Sequence, residues 1–179
     1  MNRRSIISGL AVILMCAPCF AAEVIVLPEP DRSGGMPLMQ ALEQRQSSRS
    51  FRSQDLPLDV LSNLLWAANG INRPDGKRTA PSAGNSQEID IYTALKTGLY
   101  VYDPAAHVLN PVLEDDLREF TGQQDFTQTA PVNLIFVADL DKLGRYPDDV
   151  RAFYSAADTG FVSQNVYLFC ASQGLATVV

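Results

Sequence analysis

The segment from Asp148 to Gly174 constrains the fold of this chain more than any other stretch, because it predicts one long and unusually apolar helix. Asp148 and Asp149 stand at its start, where the positive end of a helix dipole favours acidic side chains. Apolar residues then recur at helical spacing from Val150 to Ala171. A helix that is apolar over most of its circumference must be buried over most of it. In a chain of 179 residues, we therefore expect a central helix that gives part of its surface to a second subunit.

Three short stretches in the middle of the chain alternate apolar with polar or aromatic residues and predict an antiparallel meander, namely Ile89–Tyr92, Gly98–Tyr102 and Val108–Val112. His107, the single histidine, falls in the turn before the third stretch, and we expect it at the surface. Val132–Ala138 is the most apolar predicted strand, so we expect it at the centre of the sheet. The predicted fold class is α+β, with a central mixed or antiparallel sheet flanked by helices and one long buried helix.

Three shorter helices are predicted from spacing and end signals. A short amphipathic helix begins near Leu38, and a second one follows the apolar positions from Val60 to Ala68. The pair Asn69-Gly70 predicts that this second helix ends in a left-handed cap. Trp66, the single tryptophan, is expected in the core. Glu114–Phe120 has acids at its start and a glycine after its end, which is typical of a short helix.

The first residues predict a secretory signal peptide that covers residues 1–22. Arg3-Arg4 precedes an apolar run, residues 6–15, that is too short for a confident membrane span. Small residues then provide a cleavage site before Glu23. We therefore expect a periplasmic or secreted protein. The paired arginines also resemble a twin-arginine signal, and an ordinary secretion signal remains the alternative.

The rest of the chain predicts one domain, residues 36–179, preceded by an extended arm, residues 23–35, that is rich in proline and glycine. The formal net charge is −6, and removal of residues 1–22 makes it more negative, so a nucleic acid is not an expected partner. Cys170 is the one cysteine outside the signal peptide, which leaves no intramolecular disulfide. We expect a packed, unreactive thiol there, and no metal-ligand cluster is visible in the sequence.

The stretch Thr79–Gln87 has the composition of a ligand-binding loop without an acid, a base or a thiol. Pro81 fixes one backbone angle and Gly84 frees another. Its hydroxyl and amide side chains, which suit a heteroaromatic ring with carbonyls and ring nitrogens, are Ser82, Asn85 and Gln87. Taken alone, the stretch fits an ordinary surface loop more often than a binding loop.

A second candidate lies after the first helix, where Arg45 and Arg49 stand four residues apart with serine hydroxyls between them, among them Ser47. Guanidinium groups and hydroxyls match the oxygens of a phosphate. The alternative is a solvated basic helix end. The acidity of the remaining chain favours the anion-binding interpretation.

Together, and in this order, the two candidates resemble the two motifs of the FMN-dependent nitroreductase family, especially its bacterial members related to the thiazoline and oxazoline dehydrogenases. The matching residues are Arg45-x-Ser47-x-Arg49-x-Phe51 and Pro81-Ser82-Ala83-x-Asn85-x-Gln87. The resemblance implies that Arg45, Ser47 and Arg49 hold the flavin phosphate and ribityl chain. It also implies that Pro81, Ser82, Ala83, Asn85 and Gln87 line the isoalloxazine ring, commonly from the partner subunit, and that the long helix is a central dimer helix.

The same resemblance implies an FMN oxidoreductase that works by ping-pong electron transfer to a nitro compound, a quinone or a similar acceptor. The implied assembly is a homodimer with shared flavin sites, and the chemistry resides on the flavin rather than on a catalytic side chain. A flavin-dependent dehydrogenase of a small heterocycle and a non-catalytic flavin-binding protein remain alternatives. Family members also continue past the equivalent of Val179, so we expect this chain to lack C-terminal residues.

Overall fold

The computed structural model of the protein describes residues 23–179, so the predicted signal peptide, residues 1–22, lies outside the described residues. The described chain contains a five-stranded antiparallel sheet with the strand order β1-β4-β3-β2-β5. The strands are β1 Ile25–Val26, β2 Ile89–Leu95, β3 Gly98–Asp103, β4 Val108–Leu113 and β5 Asn133–Ala138. The α+β class and the antiparallel meander of β2, β3 and β4 are therefore confirmed.

The strand β5 lies at an edge of the sheet, which corrects the expectation that Val132–Ala138 would be central. Within residues 23–179 it pairs only with β2, and Val137 on this strand is exposed. Leu134 and Phe136 nevertheless pack against the hydrophobic core. An apolar strand sequence indicates that both faces of the strand are covered, but it does not indicate whether the strand has one neighbour or two in the sheet.

Three α-helices accompany the sheet, and each begins directly after a proline whose backbone angles fit the entry to a helix. They are α1 Leu38–Gln44, α2 Leu58–Asn69 and α3 Asp148–Ser172. The core contains α2 residues such as Leu65, sheet residues such as Ile91 and α3 residues such as Val162, each at most 2% exposed. The predicted short helix, the following helix and the long final helix are thus confirmed. Among the described residues, no helix is long and apolar enough to cross a membrane.

The end of α2 differs from the predicted left-handed cap. Gly70 has φ −74° and ψ 165°, which is extended backbone. A Cβ atom at Gly70 would lie 2.4 Å from the ring atom Cδ1 of Trp66, so glycine is needed here for close approach rather than for a positive φ. Trp66 itself is half-buried, and its ring nitrogen donates to the carbonyl of Ile71.

The predicted helix over Glu114–Phe120 is mostly absent, and only a single 3₁₀ turn, Arg118–Phe120, forms there. The Asp116 carboxylate accepts from both the backbone and the guanidinium of Arg118. A side chain that satisfies nearby backbone donors competes with helix formation, which explains the shorter turn.

The predicted arm and the predicted surface histidine are joined to each other. β1 in the arm pairs with β4, and Leu27 is buried. The Nε2 atom of His107 lies 2.7 Å from Ser62 Oγ and 3.1 Å from the carbonyl of Pro28, and its Nδ1 atom lies 2.9 Å from the hydroxyl of Tyr102. Burial lowers the pKa of His107. The expectation of a surface histidine is therefore wrong. The half-buried ring of His107 connects the arm, through Pro28, with the meander, through Tyr102.

Only one face of α3 is covered by the described chain. Val162, Val166 and Cys170 are buried, whereas Phe153 is 68% exposed and Phe161 is 47% exposed. Cys170 is buried, which confirms a packed thiol, and burial raises its pKa to about 11. The opposite face of α3 is an apolar surface without a neighbour among residues 23–179.

Candidate functional site

The arginine and serine candidates follow α1 as an extended stretch that rests on α3. The guanidinium carbon of Arg45 lies 5.3 Å from the centre of the Tyr167 ring, a cation–π contact. Ser47 Oγ lies 2.9 Å from the Tyr167 hydroxyl, and the backbone N–H of Val179 donates to the same hydroxyl at 3.0 Å. Tyr167 therefore holds the stretch at two residues, Arg45 through its ring and Ser47 through its hydroxyl. Sequence reasoning missed this residue, because nothing local links it to residues more than a hundred positions earlier.

The positive charges of this stretch are not neutralised by neighbouring acids. Within residues 23–179, neither Arg45 nor Arg49 is in an ion pair with a carboxylate. Ser47 and Arg49 are exposed. Arg49 and Arg52 also line a cavity of about 750 Å³ that has Phe51 and Phe136 among its walls. The stretch thus presents free guanidinium groups and a hydroxyl beside a concave surface, which is the chemistry of an anion-binding site.

The second candidate stretch is a tight loop in an uncommon backbone conformation. A 3₁₀ turn covers Ala83–Asn85, and three residues have a positive φ: 56° at Gly84, 59° at Asn85 and 51° at Gln87. Residues other than glycine adopt this left-handed region at a cost, so the surrounding structure must hold them there.

Two charged side chains from distant parts of the chain hold the loop at Ala83 and Gly84. The Asp158 carboxylate, from α3, accepts from the backbone N–H of Ala83 at 2.8 Å. The Arg145 guanidinium donates to the carbonyl of Ala83 at 3.2 Å and to that of Gly84 at 2.8 Å. A Cβ atom at Gly84 would meet Nη2 of Arg145, so a larger residue would displace this guanidinium from the loop carbonyls, and φ at this position also favours glycine.

The amide of Gln87 is used inside the loop. Its Oε1 accepts from Arg78 at 3.0 Å, and its Nε2 donates to the carbonyl of Gly76 at 3.1 Å and to Asn85 Oδ1 at 3.3 Å. Its backbone N–H donates to Ser82 Oγ at 2.9 Å. Among the described contacts, the Ser82 hydroxyl proton and the Asn85 amide nitrogen are the donors left over for a ligand. Gln87 shapes the loop, while Ser82 and Asn85 have hydrogen-bonding capacity to spare.

A pair of buried acids lies directly beneath this loop. Glu88 is fully buried and Asp158 is 4% exposed. Glu88 Oε2 accepts from the Ser86 hydroxyl at 2.6 Å. Burial raises the pKa of Asp158 to about 6, the nearby Glu88 carboxyl raises it as well, and the N–H of Ala83 acts in the opposite direction. The sequence signal for this pair was an acid in the middle of an apolar helix, although its partner Glu88 could not be identified from spacing.

The two candidate stretches meet α3 at different points. Tyr167 and Asp158 are nine positions apart, which corresponds to roughly 13 Å along a helix axis. Pro81, Ser82 and Gln87 line a separate small cavity of about 10 Å³. A single chain therefore does not bring the eight predicted cofactor residues into one pocket. Nor is any group of His, Cys, Asp or Glu side chains among residues 23–179 arranged to hold a metal ion.

Comparison with known proteins gives consistent results. The profile of the nitroreductase family matches residues 42–179. A candidate nitroreductase of Methanocaldococcus jannaschii is 33% identical over 151 residues, which cover 79% of this chain and 76% of that protein.

Two crystal structures extend this comparison. A candidate nitroreductase from Ralstonia eutropha JMP134 is similar with a TM-score of 0.81 and 51% identity, and the match covers 86% of this chain and 73% of that one. A candidate nitroreductase from Desulfovibrio desulfuricans, in complex with FMN, has a TM-score of 0.52 and 17% identity over 78% of this chain and 65% of its own. The last similarity shows the fold alone.

Proposed function

The chain belongs to the nitroreductase family, and from that membership we propose that it is an FMN-dependent oxidoreductase acting on a nitro compound, a quinone or a similar small electron acceptor. The 51% identity to the candidate nitroreductase from Ralstonia eutropha supports the enzyme class. The FMN complex of the Desulfovibrio protein, which shares the fold, supports the choice of cofactor.

One observation of the structure carries the cofactor part of the proposal: two arginines that have no acidic partner within residues 23–179 flank a hydroxyl, in a chain whose net charge is −6. Free cations in an acidic protein attract an anion, and the phosphate of FMN is one. Arg45, Ser47 and Arg49 would hold that phosphate and the ribityl chain. Tyr167 keeps Arg45 and Ser47 in place through its ring and its hydroxyl.

The loop after α2 would contact the flavin ring. Ser82 and Asn85 have hydrogen-bonding groups that no contact within residues 23–179 uses and that suit ring carbonyls and nitrogens, while Pro81 and Ala83 add apolar surface next to them. Gln87 would act through the loop conformation that it stabilises. FMN, when bound, supplies the hydride and electron chemistry that these side chains lack.

The separation of the two stretches along α3 favours a homodimer with shared sites. The apolar face that carries Phe153 and Phe161 lacks a neighbour in the described chain, and burial of such a face favours association. Packing of α3 against a second copy would bring residues 82–87 of one subunit to the proposed phosphate-binding stretch, residues 45–49, of the other. We also propose that the protein is exported to the periplasm or secreted, on the basis of the residue pattern in 1–22.

A binding and reduction experiment tests the proposed function. FMN is titrated into the chain from Glu23 onwards, its fluorescence is followed, and the bound flavin is then mixed with NADPH and with a nitroaromatic acceptor. We expect saturable binding, bleaching of the flavin by NADPH and recovery on addition of the acceptor. The double variant R45A/R49A should bind FMN at least about 100-fold more weakly, since each charged hydrogen bond contributes roughly 1.5–3 kcal/mol.

Arg73→Ala is the matched control, because Arg73 is exposed and its side chain bonds only to the neighbouring Asn72 among the described residues. It should bind FMN like the unaltered chain. Absence of FMN binding would contradict the cofactor assignment. Binding without reduction by NADPH would contradict the reductase assignment and favour the non-catalytic alternative.

A further inference from the structure

Two acidic side chains meet in the interior beneath the ring-binding loop, the loop formed by residues 82–87. Glu88 directly follows the loop, and Asp158 reaches it from the middle of α3. Both are almost fully inaccessible to solvent. The Oδ2 atom of Asp158 accepts from the N–H of Ala83, and interaction with the Glu88 carboxyl raises the pKa of Asp158. The loop is therefore attached to a pair of acids rather than to a single one.

Among the described residues, no cation forms an ion pair with these two acids, Glu88 and Asp158, although Arg78 lines the same small cavity as Asp158. Glu88 Oε1 is buried and has no hydrogen-bond donor among the described groups. A buried carboxylate without a partner is costly, and two adjacent buried carboxylates cannot both be charged without mutual repulsion. A proton held between them removes one charge and supplies the missing donor.

We propose that Glu88 and Asp158 share one proton, and that this protonated pair positions the ring-binding loop for the flavin. The inference rests on the proposed function for its ligand, and on burial, the orphaned oxygen and the Ala83 contact for its geometry. Both acids are positioning residues, because they act through Ala83 and Ser86.

The other charged and titratable groups around the pair are already engaged. Arg78, in the loop after α2, donates to Gln87 and to the carbonyl of Asn69. Arg145, in the segment before α3, donates to the loop carbonyls and lies over the ring of Tyr146. Beyond β5, Lys142 pairs with Asp90 and with Asp139, whose N–H also donates to the backbone carbonyl of Glu88. The charge state of the pair is thus set mainly by burial and by mutual contact.

The loss of the shared proton has a defined direction. Since the pKa of Asp158 is raised to about 6, the proton is held below that pH and leaves above it. Ionisation then places two like charges in a buried site, and these charges repel each other. An ionised Asp158 accepts more strongly from the Ala83 N–H, but the repulsion moves the two carboxylates apart, and with them the loop contacts at Ala83 and Ser86. Asn85 and Gln87, which hold an unfavourable positive φ, then relax. Flavin binding should therefore weaken as the pH rises through about 6.

The test compares FMN dissociation constants between about pH 5 and pH 8 in the unaltered chain and in Asp158→Asn, which mimics the protonated acid. The ratio of the two constants is used, because the FMN phosphate also loses a proton near pH 6 and its effect cancels. The ratio is the dissociation constant of the unaltered chain divided by that of Asp158→Asn. We expect it to be near one at pH 5 and about ten at pH 8. Glu88→Gln should behave like Asp158→Asn, whereas Asp158→Ala should bind weakly at every pH.

Asp149→Asn is the matched control on the same helix, since Asp149 is exposed and should leave the ratio to the unaltered chain at one throughout. A ratio for Asp158→Asn that does not change with pH overturns the proposal. Binding by Asp158→Asn as weak as that of Asp158→Ala would also overturn it.

A second readout needs no flavin, so it separates failure of this proposal from failure of the proposed function. The infrared band of a protonated carboxyl should titrate away near pH 6 in the unaltered chain and be absent from Asp158→Asn and Glu88→Gln. The fluorescence of Trp66, the single tryptophan, should also change near pH 6. The backbone carbonyl of Trp66 accepts from the hydroxyl of Thr79, which lies three residues before the ring-binding loop. A chain that fails to bind FMN but shows both signals retains the shared proton. A chain without the carboxyl band lacks it.

Discussion

The two candidate binding stretches are built in opposite ways. Residues 45–49 form an extended segment with one half-buried and one exposed cation, and apart from backbone contacts one tyrosine of α3 fixes it. Residues 82–87 form a tight loop whose polar groups are mostly used internally and which three charged side chains, Asp158, Arg145 and Arg78, hold in place. The first stretch has positively charged side chains but few contacts that fix its conformation. The second has a fixed conformation but no charged side chain of its own. A flavin needs both, since its phosphate requires charge and its ring requires a fixed surface.

The largest expected effect concerns the acids beneath the loop. The pKa of Asp158 is raised from 3.8 to about 6, so its proton stabilises the folded chain fully below about pH 4, and this contribution is lost as the pH rises through about 6. The free energy of unfolding should fall by roughly 2–3 kcal/mol from this group. Urea unfolding of the unaltered chain and of Asp158→Asn at several pH values measures it, and equal slopes in both would contradict the account.

A smaller effect is expected from Gly84→Ala. The added methyl group meets the Arg145 guanidinium, and φ is +56° at this position. We expect a loss of about 1–2 kcal/mol in the free energy of unfolding. Arg145→Ala makes room, so the double variant should lose less than the sum of the two single variants. An additive double-mutant cycle would mean that the two residues do not interact.

A still smaller effect is expected from Tyr167→Phe. This substitution leaves the ring under Arg45 but removes the hydroxyl that contacts Ser47 and Val179. The free energy of unfolding should change by about 0.5–1 kcal/mol, and FMN should bind a few-fold more weakly. Tyr154→Phe, also on α3, is a suitable control. If riboflavin, which lacks the phosphate, lost as much affinity as FMN, the contact would not act on the phosphate end.

The smallest effect is the salt dependence of ligand binding, which separates the contribution of the charged stretch from that of the ring-binding loop. Raising the ionic strength from about 0.05 to 0.5 M should weaken FMN binding a few-fold, because exposed charges are screened within a Debye length of roughly 4–14 Å over this range. Riboflavin binding should barely change, since its contacts would be those of the ring-binding loop. Equal salt dependence of the two ligands would contradict the division of roles between the stretches.

The parts of the fold that depend on local spacing could be predicted from the sequence. The helix from Asp148 and the meander of β2, β3 and β4 follow from periodicities of 3.6 and 2 residues, and both are present. The edge position of β5 was not predictable in this way, because strand order depends on contacts between distant segments. Gly70 was misjudged for a similar reason: the nearby ring of Trp66 determines its role, not the end of the helix.

The candidate site was predictable only in its two sequence motifs. Their residue types and order were recognisable, and the roles of their residues in flavin binding remain predictions. What supports them was not visible, because Tyr167 and Asp158 lie far from the motifs in sequence and meet them only in the folded chain. His107, expected at the surface, became a half-buried fastening for the arm through partners as distant as Pro28.

The most direct test of the account is complementation between two defective chains. One chain carries R45A/R49A and the other carries Gly84→Val, so that each homodimer lacks one half of every site. If sites are shared between subunits, mixing the two chains after reversible unfolding restores FMN binding at about a quarter of the sites, because half of the dimers are mixed and each has one intact site. A mixture that binds no more FMN than the separate variants would contradict a flavin site built from the charged stretch of one subunit and the shaped loop of its partner.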